Sequence, residues 1–60
     1  MANHDQIIEQ FNVYVMENTK FEEKGVKASA MRARKALGEL AKLCKVRRAE
    51  IQEARNAMES

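Results

Sequence analysis

The sequence has no proline and no tryptophan, and only one cysteine, two glycines and three other aromatic residues. Each shortage excludes something. Without proline, no ring geometry interrupts a helix. Cys44 stands alone, so no disulfide can form within the chain, and with His4 as the only histidine a structural zinc site cannot be closed. No apolar run approaches the roughly 20 residues that cross a bilayer. The start Asn3-His4-Asp5 lacks the basic flank and apolar centre of a secretory signal, so a cytoplasmic location is expected. No glycine-rich phosphate loop is present. Glu22 and Glu23 are adjacent, and on a helix adjacent side chains diverge, which removes them as a carboxylate dyad. No catalytic residue, metal, cofactor, small-molecule substrate or membrane partner is therefore assigned. The 60 residues make one domain. A domain this small is marginal alone, and burial against another chain is expected to complete it.

What the chain does contain is helix formers: Ala, Glu, Lys, Leu, Arg, Gln and Met dominate. Asn3 and Gln6 have capping-box spacing, with Asp5 suited to a first turn. Ile7, Phe11, Tyr14, Asn18 and Phe21 then recur at alternating steps of four and three, widened by Ile8 and Val15. Val13 and Met16 fall off this stripe. A second stripe runs through Val26, Ala30, Ala33, Leu37, Leu40, Cys44, Arg47, Ile51, Ala54 and Met58, with Ala36 and Leu43 at its side. The phase jumps at Gly25, the residue that most readily adopts a left-handed conformation. The spacing predicts an all-α fold: a helix over 4–24, a turn over 25–28 and a helix over 29–58 capped by Ser29. Folded as an antiparallel two-helix hairpin, it pairs Phe21 with Ala30, Asn18 with Ala33, Tyr14 with Leu37, Phe11 with Leu40 and Ile7 with Cys44. Cys44 is then a small buried apolar residue, and Asn18 either sets the register or lies at the bundle edge. Arg47 would meet Asp5. Beyond it, Ile51, Ala54 and Met58 have no partner in the chain. With Leu43, they are the expected dimer interface of a four-helix arrangement with two-fold symmetry.

The charge is segregated. Lys24, Lys27, Arg32, Arg34, Lys35, Lys42, Lys45, Arg47 and Arg48 are opposed only by Glu39, so residues 24–48 carry +8. Residues 1–23 carry −4 and residues 49–60 carry −2, which returns the overall +2. A basic middle of this kind follows a phosphate backbone. No aromatics are interleaved for base stacking, and no Asn or Gln stands among the basic residues to read bases. Contacts would be independent of sequence. The competing reading is a solvated surface that keeps a small bundle soluble.

The stretch from Glu23 to Leu37 resembles the chlamydial linker-histone-like family of bacterial histone-like proteins. Lys24, Gly25, Lys27 and Ala28 match its Lys-Gly-x-Lys-Ala turn. Arg32, Arg34, Lys35, Ala36 and Leu37 match the Arg-x-Arg-Lys-Ala-Leu run that opens its long helix. Leu40, Leu43, Lys45, Arg48, Ile51 and Gln52 fit the later spacing. The resemblance covers roughly residues 22–55, in a short form without the Lys/Ala/Pro-rich tail that many members add. It implies a helical hairpin that binds DNA without sequence preference, in a bacterial nucleoid or encoded by a phage. Lys27, Arg32, Arg34 and Lys35 would touch phosphate. Lys24, Lys42, Lys45 and Arg48 complete the expected nucleic-acid surface. The alternative is a protein–protein interaction module or small regulator that grips a partner through the end of its second helix.

Overall fold

In the computed structural model, which describes residues 2–59, helix α1 spans Ala2–Lys24 and helix α2 spans Lys27–Glu59. Two residues, Gly25 and Val26, reverse the chain. Gly25 has φ +67°, and its amide donates to the Phe21 carbonyl at 2.9 Å. This is the left-handed helix stop that a residue without Cβ makes at little cost. Val26 immediately precedes α2, and its carbonyl accepts from the amides of Ser29 (3.1 Å) and Ala30 (3.3 Å). The turn is thus shorter than the expected 25–28. Ser29 does not cap α2 but lies inside it, fully buried. Asn3 likewise lies within α1 rather than capping it, and its buried Oδ1 has no hydrogen-bond partner.

The helices pack antiparallel into a rod of 52 × 15 × 14 Å. At ~1.5 Å per residue, α2 accounts for the full length, and α1 is about 15 Å shorter. The end of α2, residues 49–59, therefore extends past α1 as an overhang. Hydrogen bonds Gln52–Asn56 and Arg55–Glu59, both 3.1 Å, staple successive turns there.

The packed line differs from the expected one by a rotation of each helix. On α1 it runs Asn3, Ile7, Gln10, Tyr14 and Glu17; on α2 it runs Ser29, Ala33, Ala36, Leu40, Leu43, Arg47 and Glu50. Ile7, Tyr14, Ala33 and Leu40 are packed as expected. Phe11, Phe21, Leu37 and Cys44, expected inside, are exposed. The tight turn gives the reason. It brings the first turns of α2 directly beside the last turns of α1, and Ser29, Ala33 and Ala36 are small enough to let the axes approach closely. Phe11 or Leu37 in that seam would wedge the helices apart. Among the described residues only Glu17, Ser29, Ala33 and Ala36 are buried.

Candidate nucleic-acid interface

The two helices turn opposite charges outward. On the side of α1 away from α2 stand Asp5, Glu9, Glu22 and Glu23, with no cation among them. On the corresponding side of α2 stand Lys27, Arg34, Lys35, Lys42, Lys45 and Arg48, all exposed and with no acid among them. At ~1.5 Å per residue, Lys27 to Arg48 covers about 32 Å, close to one turn of a DNA duplex. Gly38 lies mid-way on this face, and nothing comes within 4 Å of where its Cβ would be. The middle of the face is therefore smooth. Lys27, Arg34, Lys35, Lys45 and Arg48 make no ion pair among the described residues, and Lys42 reaches Glu39 only at 3.9 Å.

The other three basic residues of segment 24–48 are placed apart from this row. Lys24 ends α1 beside the turn. Arg47 lies on the packed line, where it bonds Glu50 at 3.2 Å rather than Asp5. Arg32 sits on one flank of the hairpin, and its guanidinium donates to Glu17 of α1 at 3.4 Å. Lys20 approaches the same carboxylate at 3.8 Å from its own helix. Lys20 and Arg32 thus mark one flank of the rod.

Glu17 is the polar centre of the hairpin, only 5 % exposed. Its carboxyl is held below the ordinary value of 4.5, chiefly by the Ser29 hydroxyl and further by Arg32 and Lys20, while burial works in the opposite direction. The Ser29 hydroxyl makes no hydrogen bond of ordinary geometry, so it acts on Glu17 as a neighbouring dipole. Sequence periodicity did not single out Glu17 or Ser29, because a helical stripe is recognised by its apolar members. The signal available was the heptad step linking Glu17 to Tyr14, Gln10 and Ile7.

The opposite flank is apolar. In antiparallel helices, residues rotated in the same sense from the packed line emerge on the same side. Phe11, 52 % exposed, and Leu37, 47 % exposed, therefore share a flank with Ile8, Val15 and Cys44. It continues onto the overhang through Ile51, 53 % exposed, and Met58, 87 % exposed. Of the four residues expected at a dimer interface, Ile51, Ala54 and Met58 are exposed on the overhang. Leu43 is half-buried on the line facing α1.

Among the described residues no group of His, Cys, Asp and Glu is arranged to hold a metal ion, and no helix is long and apolar enough to cross a membrane. A helical hairpin with one cationic back, interrupted by the exposed Met31 beside Arg34 and Lys35, defines a class of small, basic, rod-like proteins. Residues 1–57 match the family described as Histone H1-like protein Hc1, and the chain belongs to that family. Membership suggests a histone-like, DNA-binding role. The match extends beyond the stretch where the resemblance was legible in sequence and takes in all of α1. Neither the curated proteins nor the solved structures contain a match to the chain.

Proposed function

We propose that the protein binds DNA without sequence preference, laying the outward face of α2 along the phosphate backbone and coating or compacting the duplex in the bacterial cytoplasm or nucleoid. The row of six exposed cations without an interspersed acid carries this reading. Lys27, Arg34, Lys35, Lys42, Lys45 and Arg48 are the phosphate contacts. Arg32 and Lys24 contribute field from the flank and the turn. The face presents no aromatic side chain, so nothing in it stacks on bases.

The acting unit is a homodimer with four helices. A hairpin with so few buried residues has little of its own core, and its apolar flank is larger than an isolated surface residue needs to be.

A gel-shift series in rising salt on unrelated duplexes tests the DNA reading. Each phosphate neutralised adds about −0.9 to the slope of log affinity against log salt, so four to six contacts give a slope of roughly −4 to −5. Similar affinity for all duplexes is expected. Indifference to DNA at low salt overturns the reading and favours the protein–protein module.

A further inference from the structure

The apolar residues of the overhang, Ile51 and Met58, and those of the flank, Phe11 and Leu37, are all exposed, and they match one another. Rotated one step from the packed line, α2 carries Ala30, Leu37, Cys44, Ile51 and Met58, one apolar residue every seven with Cys44 at the centre. Reversal about Cys44 maps Leu37 onto Ile51 and Ala30 onto Met58. The same reversal brings residues 49–59 level with residues 29–39. In the hairpin, residues 29–39 lie beside the part of α1 that holds Phe11 and Val15.

We propose that two copies pair antiparallel along this line of α2, with the two-fold axis near Cys44, so that the overhang of each copy lies on the flank formed by Phe11, Val15 and Leu37 of the other. This rests on the homodimer proposed above and assigns its surface and direction.

Two observations choose the antiparallel direction. The first is charge. Residues 29–39 hold Arg32, Arg34 and Lys35 against Glu39, a net +2; residues 49–59 hold Glu50, Glu53 and Glu59 against Arg55, a net −2. Residues 40–48 meet their own copy in either direction, but antiparallel pairing sets these two oppositely charged segments level, whereas parallel pairing sets each of them against its own copy. The second is burial. A parallel pair leaves two overhangs with only each other. The antiparallel pair gives each overhang a doubled helix to lie on, covering Ile51 and Met58 together with Phe11 and Leu37. It also brings the two basic backs of α2 to the same edge, so that a dimer faces one duplex.

Cys44, the chain's single cysteine, is exposed and provides the probe. The full chain is weighed by light scattering, and nitroxides are placed on Cys44 for a dipolar distance measurement. A dimer mass is expected, with labels separated by one interhelical spacing of about 8–10 Å plus the label arms. Direction is read by mixing L37C and I51C chains, each carrying C44S, with diamide as oxidant. Cross-links between the two variants are expected to predominate. A monomer mass overturns the dimer itself. A dimer whose Cys44 labels are far apart, or one that links L37C mainly to L37C, leaves the dimer standing and overturns this arrangement. L37D, at a position exposed in the hairpin, is expected to give monomers that keep their helical signal; an unchanged dimer in L37D also overturns it.

Discussion

The outward faces of α1 and α2 differ more than the helices themselves do. Both are long, regular and amphipathic, yet one back carries Asp5, Glu9, Glu22 and Glu23 and the other six lysines and arginines. The net charge of +2 conceals this. A polyanion meets attraction along one back and repulsion along the other, so a single hairpin presents DNA with one binding side.

Reversing the basic back is the most drastic way to break this contrast. R34E, K35E and K45E together are expected to abolish gel shifts at about 0.1 M salt. Neutral Gln at the same three positions should flatten the salt slope by nearly three units. Circular dichroism should show unchanged helix in both variants, because the three side chains touch nothing in the seam.

The contrast also depends on the turn that keeps the two backs on opposite sides. G25A places a Cβ on a residue with φ +67°. It should cost about 1–2 kcal/mol in thermal or urea unfolding. Here the obstacle is backbone conformation and not space, since nothing lies within 4 Å of that Cβ.

Glu17 gives a pH test of the seam. Its carboxyl is depressed in the folded state, so it binds a proton more weakly there than in the unfolded chain. Its contribution is complete above the ordinary value of 4.5 and is lost as pH falls through the lower folded value. Thermal stability should drop as pH falls below 4.5, and E17Q should drop less over the same fall. An equal drop in E17Q would place the acid sensitivity elsewhere.

The smallest expected effect comes from softening the opposite back. E9Q, E22Q and E23Q together should raise DNA affinity only a few-fold, and most at low salt, because these carboxylates stand about a hairpin's width from the basic face and are screened. A loss of affinity in this variant would mean that α1 itself touches DNA.

Much of this architecture was legible in the residues. The phase jump at Gly25 located the reversal, and the basic run from Lys24 to Arg48 located the candidate surface. The choice of packed line was not legible. Each helix carries two adjacent lines that could face inward, and the more apolar one, with Phe11, Leu37 and Cys44, looked like the core. Periodicity ranks lines by hydrophobicity, whereas a two-residue turn ranks them by how closely the helices can approach. Arg32 illustrates the same limit: its place in a basic run gave no hint of a carboxylate fifteen residues earlier.

The sequence by itself determined that the chain is helical, that it doubles back at a glycine and that its middle is cationic. These follow from local propensity, backbone freedom and charge order, which act over a few residues. Only the tertiary structure decided that Glu17 and Ser29 go inside while Phe11 and Leu37 remain outside. That choice depends on how closely two helix axes approach, and Ala33 and Ala36 permit the closer approach.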